Sequence, residues 1–192
     1  MKQYLSCADT AKLVRAALKE AFPGVKFSVK SSVYAGGASI NVSYIDGPSS
    51  AQVKAIVGVF EGSYFCGMTD YKGTNYSALD GQPVSFGADY IFVNRTLSYF
   101  ALVVIAGSVC DKYDLGDAIK INDDKFGAYV STINISADAQ KRGFDNRYIG
   151  NMMNDACFAY SEVDAAESKT FNRVTFLGDD GYGYNSVGKV AA

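Results

Sequence analysis

Apolar positions recur at three- and four-residue steps near the start of the chain, through Leu13, Val14, Ala17, Leu18, Ala21 and Phe22, until Pro23-Gly24 stops the run. That period predicts an amphipathic helix capped by Ser6 or Asp9. Its outer side carries Lys12, Arg15 and Lys19, which the helical repeat stacks along one face. The period then falls to two. Phe27 and Val29 alternate with Lys26, Ser28 and Lys30, and Ile40, Val42 and Tyr44 alternate with Ser39, Asn41 and Ser43. This is the pattern of a β-hairpin with one apolar and one polar face, turning at Gly36-Gly37, where both residues supply positive φ. Asp46-Gly47-Pro48 ends the second strand, and Ser49 or Ser50 caps a second helix with Val53, Ile56, Val57 and Phe60 on one stripe.

Residues 61–87 are punctuated by glycines and read as loop or short strand. A strand is predicted from Ala88 to Arg95, and the continuous apolar run Tyr90 to Val93 places it centrally in its sheet. Ser98 caps a third helix reaching about Tyr113, although Val103 to Ile105 alone fit a strand equally well. Asn122-Asp123-Asp124 reads as a connection and Ala128 to Ile135 as a strand. Ser136 or Asp138 starts a helical stretch interrupted at Gly143, and Ile149, Met152, Met153, Ala156 and Tyr160 give a further helical face. A strand at Phe171 to Leu177 and a flexible Gly- and Tyr-rich ending complete the chain. The whole reads as an α+β fold: an α-β-β-α unit extended by more strands and helices, with a mainly antiparallel sheet and helices on one face. Residues 1–115 form the expected main domain, and residues 116–192 an extension packed on or continuous with it.

Composition narrows the chemistry. The 192 residues are 48% apolar, enough for a packed core, and contain no histidine. That gap removes the commonest metal ligand, the default general base near neutral pH and every Ser-His or Cys-His nucleophile pair. A net charge of −2 is too balanced for a general nucleic-acid binder. Only residues 1–60 are basic, with seven Lys and Arg against three Asp and Glu. Cys7, Cys66, Cys110 and Cys157 are widely spaced and form no C-x-x-C pair, so they read as reduced thiols. The N-terminus lacks the apolar core of a secretory signal, and the longest apolar stretch, Tyr99 to Gly107, is about half of a membrane crossing. A cytoplasmic location in a bacterial host is expected, with no membrane partner.

No motif assigns a cofactor or a metal. Asn122 to Gly127 has Phe126 and Ile133 where a calcium loop needs ligands, and Gly181-Tyr-Gly183 lacks the third glycine of a dinucleotide fingerprint. Carboxylate catalysis through Glu61, Asp70 or Asp89 is the enzyme route that survives the missing histidines. Cys66 has no basic neighbour in sequence and reads as packed. No catalytic residue is assigned, and a non-enzymatic protein is expected. The candidate partner-binding residues are Lys12, Arg15, Lys19, Lys26 and Lys30, together with Asn41 on the polar hairpin face and the loop tyrosines Tyr64, Tyr71 and Tyr76.

Cys7-Ala-Asp-Thr-Ala-Lys-Leu-Val-Arg15, Leu18 through Ser28, Gly36-Gly-Ala-Ser-Ile-Asn-Val42, Asp46-Gly-Pro48, Phe60-Glu-Gly62 and Phe86-Gly-Ala-Asp89 occur in order. Together they make residues 5–115 similar to a large polyvalent protein-associated domain, the twenty-ninth of that series. The resemblance implies a module carried by phages and conjugative elements, within very long proteins delivered with invading DNA or as short chains, in a setting of counter-defence. It brings no catalytic residues. The expected partner is a host defence complex, a CRISPR effector first and a restriction system next, inhibited sterically. The alternative is a nucleic-acid-associated module that protects or handles incoming DNA, using the five basic residues named above.

Overall fold

A computed structural model describes residues 3–125, 127–132, 135–184 and 186–188. The elements run β1 (Gln3–Leu5), α1 (Cys7–Ala21), β2 (Ser28–Tyr34), β3 (Gly37–Ile45), α2 (Ser50–Val57), β4 (Ser63–Cys66), β5 (Tyr71–Leu79), β6 (Gln82–Phe86), β7 (Tyr90–Thr96) and α3 (Tyr99–Tyr113). They continue with β8 (Ile119–Asp124), β9 (Gly127–Thr132), α4 (Ala137–Lys141), α5 (Asn146–Ala159), α6 (Lys169–Asn172) and β10 (Val174–Asp179). The fold is α+β. Five strand pairs are antiparallel, and β1 runs parallel to β6.

Contacts divide the chain into two compact units. The first comprises residues 1–44, 50–94 and 163–192, and the second residues 45–49 and 95–162.

In the first unit, Ser6 caps α1 by accepting the Asp9 N–H, while its own hydroxyl donates to the Asp9 carboxylate. The helix buries Val14, Ala17, Leu18 and Ala21 of the stripe its period predicts, together with Ala11, while Leu13 is only half-buried. β2 and β3 form the expected hairpin, with Lys30 opposite Asn41 and Ser28 opposite Ser43. Two details differ. Only Gly36 has positive φ in the turn, and Ser39 is buried on the face expected to be polar and open, where the Cys7 thiol donates to its carbonyl. α2 passes into a 3₁₀ turn at residues 58–60 that seats Phe60 in the core, edge-on to Phe86 at 5.5 Å.

Residues 61–87 hold three strands, among them the nine-residue β5. Their Gly, Ser and Tyr content hides the alternation. The signal that locates them is Asp80-Gly81, both at positive φ, which is the two-residue turn joining β5 to β6. The larger sheet is ordered β1-β6-β5-β10, with β4 also on β5, and the smaller one β2-β3-β7. The centre of the smaller sheet is therefore β3. β7 lies at its margin with Phe92 half exposed, and the expectation of a central strand there is corrected. The Asp89 N–H donates to the Ala38 carbonyl at one end and the Asp46 N–H to the Thr96 carbonyl at the other, so β7 runs the same way as β3.

The C-terminal strand begins later than expected. Residues 169–172 form a helical turn, because Glu20 accepts the Ser168 and Thr170 hydroxyls and the Thr170 N–H at 2.8–2.9 Å and so anchors it to α1.

In the second unit, Ser98 caps α3, which settles the helix against the strand alternative. Ile105, Val109, Leu115, Ile149 and Met153 form its core. Asn122 to Asp124 ends β8 rather than forming a connection, since β8 and β9 pair as a hairpin. The predicted strand to Ile135 is found as far as Thr132, and residues 133 and 134 lie outside the described chain. Ser136 caps α4, Gly143 lies between the two helices at φ +92°, and α5 presents the expected face. The Arg95 guanidinium donates to the carbonyls of Asp46, Gly47 and Tyr160, holding three segments together.

Candidate functional site

Asp89 is placed by the start of β7 beside the first residues of β3. Its carboxylate accepts the Ala38 N–H at 2.9 Å, the Ser63 hydroxyl at 2.9 Å and the Lys72 ammonium at 2.8 Å. Burial pushes the Asp89 carboxyl up, but these three donors outweigh it and hold it below the usual carboxylate range. Lys72 on β5 is raised in turn, chiefly by its hydrogen bond to Asp89, and its ammonium lies 5.9 Å from the centre of the Tyr90 ring. Both groups stay charged near neutral pH. Gly37 makes the approach possible: a Cβ there would sit 2.5 Å from the Asp89 carboxylate and 3.1 Å from the Tyr34 ring.

Around this ion pair lies an open polar cleft of about 500 Å³, bounded by Tyr4 of β1, Val33 and Tyr34 of β2, and Ser85 of β6. Three exposed apolar side chains stand on its rim: Tyr4, Val33 and Tyr34 are 69%, 77% and 50% exposed. The cleft thus offers a fixed charge pair at its base, hydroxyls on its walls and aromatic and aliphatic contact area at its mouth. A second, smaller cavity of about 370 Å³ lies in the other unit beside α5 and is lined by Asn146, Asn151, Asn154, Met153 and Cys157.

A second cluster surrounds two aspartates after β10. Buried Asp179 accepts the N–H groups of Gly181, Val187 and Gly188. Asp180 accepts the Tyr64 hydroxyl at 2.7 Å, the Tyr71 hydroxyl at 3.0 Å and the Thr74 N–H at 2.8 Å. Burial and the bond to Asp180 push the Tyr64 phenol up to about 12. The ending expected to be flexible is thus tied, in its described residues, onto β4 and β5. Cys66 lies beneath it: the Thr69 hydroxyl and the Tyr184 N–H donate to its sulfur and lower the thiol to about 7. Sequence proximity to a base could not reveal this, because the donors are a turn hydroxyl and a backbone amide more than a hundred residues away.

The other sequence candidates are dispersed. Lys12 pairs with Asp9, and the Arg15 guanidinium donates to the Val29 carbonyl at 2.7 Å. Lys19, Lys26 and Lys30 are exposed, and Asn41 and Tyr76 are half-buried. Of the three carboxylates, Glu61 accepts the Ile91 N–H and the Lys54 ammonium, Asp70 stands in the β4–β5 turn at φ +49°, and Asp89 enters the cleft. Phe86, Gly87 and Asp89 come together there with Gly36 and Gly37; from sequence the glycines read as turn residues and Asp89 as a candidate carboxylate, with nothing joining them. Among the described residues, no group of three acidic or cysteine side chains is placed to hold a metal ion, and no helix is long and apolar enough to cross a membrane.

Residues 5–98 match the family model of large polyvalent protein associated domain 29, and the chain carries a domain of this family in its N-terminal half. Domains of this kind are found in the polyvalent proteins of phages and mobile elements. No curated protein and no solved structure matches the chain.

Proposed function

We propose that this chain is a stoichiometric, non-enzymatic counter-defence module of a phage or mobile element, which binds a host immunity complex and blocks it sterically. A CRISPR effector is the first target in this reading and a restriction system the next. The observation that carries it is the state of the cleft. Asp89 is held below the usual carboxylate range and accepts from Lys72, Ser63 and the Ala38 amide, which supports a preset contact surface. Acid-base turnover would instead need a carboxyl whose proton comes and goes near neutral pH. The family's setting in mobile-element proteins supports the biological side.

The test is capture of the tagged protein from a bacterial host with an active defence system, with phage plating in the presence and absence of the protein. Co-purification of a defence component and restored plaques are expected; neither appearing would sink the proposal. The exposed Lys19, Lys26 and Lys30 favour a second reading, handling of nucleic acid. Phosphate-driven binding would weaken steeply as salt rises, whereas binding at an aromatic-rimmed cleft would change little.

A further inference from the structure

β2 is the outermost strand of its sheet, and the register of the hairpin fixes which of its backbone groups lie free. Ala38 turns its N–H and C=O away from β2, donating to the Asp89 carboxylate and accepting from the Asp89 N–H. Its partner across the hairpin is Val33. In an antiparallel pair, residues directly opposite either both bond to each other or both face away, and the two states alternate along the strand. Val33 therefore turns its N–H and C=O to the open edge, and so, two residues apart, do Ser31 and Val29. The Arg15 guanidinium confirms the phase, because it reaches the Val29 carbonyl from that side.

Arg15 covers one carbonyl and leaves Ser31 and Val33 uncovered. Both residues are exposed, and no other element of the described chain pairs with β2. A seven-residue strand with a bare edge is a template for another strand. Lys30 stands exposed on the strand and Lys26 two residues before its start, and a second copy of this segment would bring the same charge. An acidic strand would meet complementary charge. At its far end the edge opens into the polar cleft, since Val33 and Tyr34 line both.

We propose that the free edge of β2 binds an extended, acidic segment of a partner protein by strand addition, with main-chain bonds to Ser31 and Val33 and carboxylates facing Lys26 and Lys30. This deepens the counter-defence reading and rests on it for the biological source of the partner. The chemistry rests on the edge itself.

The probe is a synthetic acetylated and amidated peptide of about eight residues, alternating glutamate with valine and threonine, with a lysine-for-glutamate counterpart. Titration into the full-length ¹⁵N-labelled protein is expected to shift the amides of Ser31 and Val33 most and to slow their hydrogen exchange, which is expected to be fast in the free protein. Val33→Pro removes only an outward N–H and is expected to weaken binding at least about tenfold, whereas Val33→Thr keeps it. Lys30→Glu is expected to weaken the acidic peptide several-fold and favour the lysine peptide. Slow exchange of the Ser31 and Val33 amides in the free protein overturns the proposal without any variant. So does an absence of shifts at about millimolar peptide, equal binding of both peptides, or concentration-dependent self-association through β2. If defence components are captured equally by the wild type and Val33→Pro, the edge fails and the counter-defence reading stands. If the peptide binds but nothing is captured from the host, that reading fails and the edge stands.

Discussion

At Asp89 one carboxylate gathers an amide, a hydroxyl and an ammonium from β3, the start of β4 and β5. Removing it leaves the Ala38 N–H and the Lys72 ammonium without their partner, so Asp89→Ala is expected to cost roughly 2–3 kcal/mol in urea unfolding. Gly37→Ala is expected to cost about 1–3 kcal/mol, because the new Cβ would meet the carboxylate at 2.5 Å. The two losses share one cause. Gly37→Ala in the Asp89→Ala background should therefore cost distinctly less than it does alone, and additive losses would refute the coupling. Sequence showed Gly37 only as half of a turn dipeptide; its reason for being glycine is a side chain fifty-two positions away.

Elements with a strong period were legible. α1, α2, α3 and α5 each repeat apolar residues at helical spacing, and Ser6, Ser98 and Ser136 cap the helices that follow them as expected. β4 to β6 were legible only as loop or short strand, because small residues such as Gly73, Ser77 and Ala78 occupy positions where alternation would otherwise show. The segment after β10 was misjudged for a related reason. Its order comes from two carboxylates, Asp179 and Asp180, which bond to groups that composition does not register. Asp179→Ala is accordingly expected to release this segment and uncover Cys66. Alkylation of Cys66 by iodoacetamide at pH 8, read by mass spectrometry, should speed up roughly tenfold or more with the far-ultraviolet spectrum unchanged. An unchanged rate would mean that the Asp179 loop does not guard the thiol.

Across the whole molecule, the missing histidines shape the response to pH. Glu20, Asp80, Asp89 and Asp180 are each held below their ordinary values: Glu20 by the Thr170 amide, Asp80 by Arg173, and Asp89 and Asp180 by donors that outweigh burial. Each contributes stability that is present above its unfolded pKa of about 4 and is lost as pH falls through the folded value. Cys66 follows the same sign at higher pH. Its thiol drops from 9.0 to about 7, so its contribution is fully present above pH 9 and is lost as pH falls through about 7. Urea midpoints are expected to be level from about pH 5 to 7, to rise between about 7 and 9, and to fall below about 4. Cys66→Ser should remove the rise and leave the acid limb. A rise that survives the substitution would assign it to another group.

The sequence by itself determined the α+β class, the helices of clear period, the β2–β3 hairpin and the family of the N-terminal half, because each is written in local spacing or in ordered runs. The tertiary structure alone decided that β3 rather than β7 is the central strand, that Asp89 and Lys72 share a cleft, and that no described strand pairs with the outer edge of β2. Each of these depends on which distant backbone groups find partners. Pairing between strands is settled by burial and hydrogen bonding across the folded chain, where residues far apart in number compete for the same neighbour.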